Sequence, residues 1–378
     1  MNRHAVFADM VFDGQETHHH CAVMLEGERI AWVGSHKDLD PAVKVKALPP
    51  GAWLAPGFID LQVNGGGDVL FNDEPTPAAI ATIAAAHRRF GTTSFLPTLI
   101  SDTPEKMRAA LDAMRRMPGS TGALGLHLEG PHLSPEKPGV HDPAMIRPAT
   151  WNDTELLNSP GILLVTLAPE CVPAGFINAL VSKGVRVSLG HSMATYAQTK
   201  AAIAEGITGF THLFNAMRPL ASREPGPIAA ALESADAWIG LIVDRAHVAA
   251  PMLRLALRGA ACPMLVTDAM PPLGGREKTF TLHGKEFAVQ GSHCEGSDGT
   301  LAGTALDMAS AVRNCVQWLD VPLATALGYA SAEPARFLGV ADRIGRLATG
   351  YRADMVAIDP IGVRVLETWV AGKSATHE

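Results

Sequence analysis

Three features of the sequence predict an α/β protein: a distorted (β/α)8, TIM-like barrel with a small β-sandwich domain made from the N- and C-terminal segments. The middle of the chain alternates short β-branched apolar runs with longer segments of helical spacing. Both ends are rich in short strands and tight turns. The chain, at 378 residues with 47% hydrophobic and 18% charged residues, can bury one large core and a smaller one. The boundaries expected are 1–55 plus 345–378 for the β unit and 56–344 for the barrel, with a β insertion near 279–301.

Taken in order, Ala22–Leu25 and Ile30–Gly34 flank Gly27-Glu28-Arg29 and read as a hairpin. His18-His19-His20 alternate in direction along a strand and read as a solvated edge. Phe58–Val63 opens the barrel and runs into the glycine loop 65–67, where the backbone must turn sharply or approach a ligand. Helices are expected at 78–90, 104–117, 173–183, 196–205, 304–319 and 322–330. Further strands are expected at 92–99, 123–128, 162–167, 185–189, 207–211, 238–243 and 264–267. The tail, from Met355 to Asp359 and Val363 to Trp369, returns to strands.

The net charge of −7 argues against a nucleic-acid partner, which needs a basic face. Five scattered cysteines without a CxxC pair suit a reducing cytoplasm. The N-terminus has no apolar h-region, and no stretch approaches 18 apolar residues, so neither a signal peptide nor a membrane span is expected.

Candidate chemistry gathers at strand exits. In a parallel barrel these open onto one face, the face that carries function. His191 follows the strand ending at Leu189, and His212 follows the strand ending at Thr211. Two histidines on one face can share a metal ion; the competing reading is of histidines that cap strands or sit in the core. Glu129 ends a third strand and completes a set of two histidines and one carboxylate, as open catalytic zinc sites have. Asp268, at a fourth exit, is placed to take a proton from water and return it to a leaving group. His127 reads as a satisfied strand histidine and His132 as structural, while His87, His283 and His293 read as surface residues.

These pieces, together with PGFIDLQVNGGGD at 56–68, LGLHLEGPHL at 124–133, THLFNAM at 211–217 and GTLAGT at 299–304, resemble the metal-dependent amidohydrolase superfamily. Within it they are most similar to the family of N-acetylglucosamine-6-phosphate deacetylases, over roughly the whole chain. The resemblance implies hydrolysis of the acetamide of a phosphorylated N-acetylated amino sugar. It leaves open a galacto-type sugar, an N-acyl amino acid or a cyclic amide, and a non-enzymatic relative as a more distant alternative. Many amidohydrolases carry His-x-His on the first barrel strand for a second metal. Here that position reads Gln62-Val63-Asn64, and amides are poor ligands for such ions. One divalent ion per subunit is therefore expected, zinc by default, held by Glu129, His191 and His212. The resemblance further implies substrate contacts from Gln62, Asn64, Val140, His141, Asn215, Ala216, Arg223, His247, Leu301, Ala302, Gly303 and Thr304. His141 would bond the carbonyl oxygen as charge builds there, and Arg223 would grip the phosphate. A homodimer whose neighbour helps finish the phosphate site is also implied.

Overall fold

The structure, a computed structural model, describes residues 3–376. Its centre is a parallel sheet in unbroken chain order: β1 (Phe58–Val63), β2 (Thr92–Ile100), β3 (Leu126–Glu129), β4 (Ile162–Leu167), β5 (Arg186–Leu189), β6 (Gly209–Phe210), β7 (Trp238–Leu241) and β8 (Cys262–Leu265). Every residue of β1 and β2 is buried, as a parallel sheet covered on both faces requires. The ring closes just beyond β8. Ala269 bridges Val63, and its carbonyl accepts the N–H groups of Asn64 and Gly65, each at 2.9 Å.

Packing around β6, which is only two residues long, is tight. A Cβ on Gly209 would meet Ser188 Oγ at 1.9 Å and the Phe337 ring at 2.8 Å, so only glycine lets the strand lie down. That strand carries His212.

The long helices start where local chemistry says they should. Thr76 and Thr103 cap Pro77–Arg88 and Pro104–Arg115 with their hydroxyls, each followed by proline at the first helical position. Thr195 and Gln198 form a capping box for Tyr196–Glu205, and Gly206 ends it with φ 118°. The helix expected from Thr304 begins at Met308 instead. Leu301–Thr304 is a strand, and Asp307 caps the helix by accepting the N–H of Ser310. Helices at Gly226–Leu232, Ala250–Ala256 and Ala332–Leu338 were not expected; at seven residues each they are too short for a periodic signal.

The two chain ends share one eight-stranded sheet in the order 373–376, 364–370, 355–359, 53–56, 3–12, 17–26, 29–35, with 44–47 also paired to 3–12. Its strands are hydrogen-bonded in one continuous order. Val6, Leu25, Leu54, Met355 and Trp369 from its different strands pack into one core, so the sheet curls over itself. A separate antiparallel sheet of four strands spans 279–304 and ends on the strand Leu301–Thr304.

One surface assignment is corrected. His87 is 1% exposed, and its Nε2 lies 2.9 Å from the carbonyl of Gly65, so it anchors the glycine loop from below. His283 is exposed and His293 half-buried.

Candidate active site

Four polar side chains converge where the barrel strands end. Glu129 is the last residue of β3; His191, His212 and Asp268 lie two or three residues past β5, β6 and β8. The last three share an unusual backbone, with φ of 48°, 32° and 52°. Left-handed conformations cost an L-residue about 1–3 kcal/mol each and persist where the surroundings over-determine them. Here the flanking amides do so: Gly190 and Thr211 donate to Leu167 and Leu189, and Leu213 donates to Gly240. Each side chain is thereby turned inward over the barrel mouth.

Glu129 Oε1, His191 Nε2 and His212 Nε2 form a triangle with sides of 3.0, 3.1 and 3.1 Å, and all three residues are buried. His191 Nδ1 donates to the carbonyl of Lys137 at 2.8 Å, so its Nε2 carries a lone pair. Glu129 Oε2 accepts from the amide of Gln62 at 3.1 Å, leaving Oε1 for the triangle. Burial alone pushes Glu129 up, but His191 and His212, whose rings carry positive charge when Nε2 is protonated, outweigh it and hold the carboxyl well below its usual range. An anionic oxygen and two imidazole nitrogens this close, dry and turned on one point suit a cation about 2.0–2.2 Å from each. The residues present therefore fit a divalent metal.

His141 also lies within reach, since Glu129, His141 and His191 offer ligand atoms within 4.8 Å of one another. Its hydrogen bonding assigns it differently. The backbone N–H of Ser101, which can only donate, points at His141 Nδ1 from 3.2 Å, and the Ser101 hydroxyl lies 2.8 Å from the same atom. Nδ1 accepts, so the neutral ring carries its proton on Nε2. Burial and the neighbouring His191 hold the imidazole well below its ordinary pKa, keeping it neutral. A ring with Nε2–H is a hydrogen-bond donor rather than a metal ligand.

The sequence pattern of the amidohydrolase family matches residues 53–376. The chain belongs to the amidohydrolase family. Members are metal-dependent hydrolases, and the buried Glu/His cluster is where this one can hold its ion. The chain is 43% identical to N-acetylgalactosamine-6-phosphate deacetylase of Shewanella sp. (strain ANA-3), over 85% of this chain and 82% of that one. It is 36% identical to N-acetylglucosamine-6-phosphate deacetylase of Haemophilus influenzae, over 93% and 94%. The crystal structure of N-acetylglucosamine-6-phosphate deacetylase from Pasteurella multocida superposes with a TM-score of 0.93 at 34% identity, covering 99% of this chain and 100% of that one.

In this amidohydrolase Asp268 faces the triangle. Burial, then repulsion from Glu129, raises its carboxyl to about 6. Asn64 donates to Oδ1 at 2.6 Å. Beneath it, Asp60 accepts from the hydroxyl of Thr267 at 2.5 Å, and Thr304 donates from its hydroxyl to Thr267 O at 2.7 Å and from its N–H to Asp268 O at 3.0 Å. Asp60, wholly buried, is pushed up to about 7. This layer fixes the turn that presents Asp268.

The cleft over these groups has a volume of about 160 Å³. Of the residues expected to meet substrate, Asn64, Val140, His141, Asn215, Ala216, His247, Leu301 and Gly303 line it. Gln62 sits below, against Glu129; Ala302 and Thr304 are buried behind the wall. Arg223 is exposed and is not part of the lining; among the described residues no lysine or arginine lines the cleft. His247 is aimed by Asp244, whose Oδ2 lies 2.6 Å from Nδ1 while Oδ1 accepts the N–H groups of Ala246 and His247. Sequence reasoning missed Asp244, Ser101 and Asp60. Asp244 had a readable signal, because an aspartate three residues before a histidine can bond both its backbone and its ring.

His127 and His132 stand outside the cleft. His127 bonds Leu61 O and Thr166, and His132 Nδ1 donates to Arg147 O at 3.2 Å.

Proposed function

We propose that this amidohydrolase deacetylates N-acetyl-D-glucosamine 6-phosphate, giving D-glucosamine 6-phosphate and acetate in amino-sugar catabolism or recycling. The observation that carries the proposal is the Glu129–His191–His212 triangle, faced by a basic carboxylate and by the N–H of His141. The full-length relatives, named as deacetylases of acetylated amino-sugar 6-phosphates, supply the substrate class.

Glu129, His191 and His212 would hold one divalent ion, zinc by default. Such an ion supplies Lewis acidity towards the acetamide oxygen and towards a water molecule. Asp268, ionised above pH about 6, takes a proton from that water as its oxygen bonds to the carbonyl carbon. His141 Nε2–H donates to the carbonyl oxygen as negative charge gathers there. Asp268 then returns its proton to the nitrogen as the C–N bond breaks, so that the leaving group is an amine. A single ion is supported by Gln62 and Asn64. Their amides donate to Glu129 and Asp268 where a second cation would otherwise balance the two carboxylates.

A galacto-type substrate is the second reading, favoured by the 43%-identical relative named for N-acetylgalactosamine 6-phosphate. The phosphate is assigned to Arg223, exposed and outside the cleft lining, acting across the interface of a homodimer. A cytoplasmic location is part of this reading.

The test is acetate release from the 6-phosphates of both N-acetylhexosamines and from the plain sugars, with and without chelator. Phosphorylated substrates turned over only with metal are expected, with the preferred epimer deciding between the two readings. Turnover unaffected by chelator, or plain sugars used as well as phosphorylated ones, would contradict the proposal.

A further inference from the structure

The cleft is lined by two kinds of residue. Besides His247, Asn215, Ala216 and Leu301 the lining holds four apolar side chains that pack with one another, Leu70, Ile100, Val140 and Met270. They pack into a hydrophobic cluster distinct from the barrel core, completed by Ala302 and by Leu282, Phe287 and Cys294 of the inserted sheet. The wall is thus backed by packed protein on its far side. Met270 rests on Gly303, where a Cβ would come within 2.7 Å of Met270 Cγ and 2.5 Å of Asp268 O.

Each of these residues is tied to a reacting group. Val140 precedes His141. Ile100 pairs with Glu129 in the β2–β3 register and precedes Ser101, whose N–H holds His141. Met270 lies two residues after Asp268 and bonds through its N–H to Thr304 O at 2.8 Å. The apolar wall is therefore contiguous with the centre where the carbonyl is attacked. A phosphorylated amino sugar is polar along its whole rim. Its one hydrocarbon end is the methyl group of the acyl chain, bonded directly to that carbonyl carbon. Burying it against water is favourable, and burying a hydroxyl there without a partner is not.

We infer that Leu70, Ile100, Val140 and Met270 form the seat of the acyl group and set which acyl chains are removed. The inference rests on the deacetylation proposed above. The inserted sheet, through Phe287 and Cys294, acts as the buttress that fixes the depth of the seat.

The experiment compares kcat/KM for the 6-phosphates of N-formyl-, N-acetyl- and N-propanoylglucosamine. The wild type is expected to favour acetyl over propanoyl. Ile100→Ala and Met270→Ala deepen the seat and should raise the propanoyl-to-acetyl ratio by about tenfold, the scale of one methylene in an apolar pocket. Ile100→Val, a gentler change that spares folding, should move the ratio the same way by less. Leu253→Ala, in the outer core away from the cleft, should lower stability and leave the ratio where it was. A ratio unmoved in all three wall variants would overturn the acyl seat and leave deacylation standing. A wild type that releases acid from no member of the series would overturn both.

Discussion

Two levels of the barrel interior are built from the same residue types and come out differently. At the lower level His127 donates from Nδ1 to Leu61 O at 3.0 Å and faces Thr166 Oγ1 with Nε2 at 2.8 Å; the Thr166 hydroxyl in turn meets that of Thr211 at 2.6 Å. Both ring nitrogens are used by protein, and burial lowers the imidazole to about 4, so it stays neutral. At the upper level His191 spends Nδ1 on Lys137 O and turns Nε2 towards Glu129 Oε1 and His212 Nε2. Burial is the same; satisfaction is not. A buried imidazole completed by its own fold is structural. One turned on a carboxylate oxygen and a second imidazole suits a cation.

The sharpest way to break this comparison is at the upper level. His191→Ala should remove the ion and reduce acetate release to background, as read by metal content and turnover together. Asp268→Asn should keep the ion and lower kcat by about 10²–10⁴-fold, the scale of a lost general base. In the wild type kcat/KM should rise with pH as Asp268 loses its proton, with an inflection at or below pH about 6, because a bound cation only lowers it further. Asn64→Ala should move that inflection upward, since it removes a donor to the charged form. His141→Asn should cost about 10²–10³-fold in kcat, the scale of one lost donor to a developing oxyanion.

The lower level should respond in stability instead. His127→Gln should cost about 1–3 kcal/mol by thermal or denaturant unfolding, with turnover per folded molecule kept within severalfold. The acid response has a definite sign. Between pH 6.5 and about 4 the unfolded chain takes up a proton that native His127 refuses, so stability falls as pH drops. That slope is at most ~1.4 kcal/mol per pH unit for one site, and the glutamine variant should lose it.

Much of the upper level could be read from sequence. Glu129, His191, His212 and Asp268 each end an apolar run, and a parallel barrel turns such positions to one face. The strands that carry them were expected within a few residues, although β6 is shorter than its apolar run. Other parts depend on contacts that no local pattern records. Ser101 aims His141 across 40 residues, and Asp60 supports Thr267 across 207. Arg223 lies outside the cleft of the single chain, where spacing alone had no means to place it. His87 was legible and misread: it continues the stripe Ile80, Ile83, Ala84 at helical spacing, which is the buried face of its helix.

Metal content per chain after single substitutions measures directly which imidazoles hold the ion. His212→Asn should lose the ion, while His141→Asn should keep one equivalent, as the wild type does. The reverse pattern, with His141 required and His212 dispensable, would contradict the assignment, and so would two ions per chain at full activity.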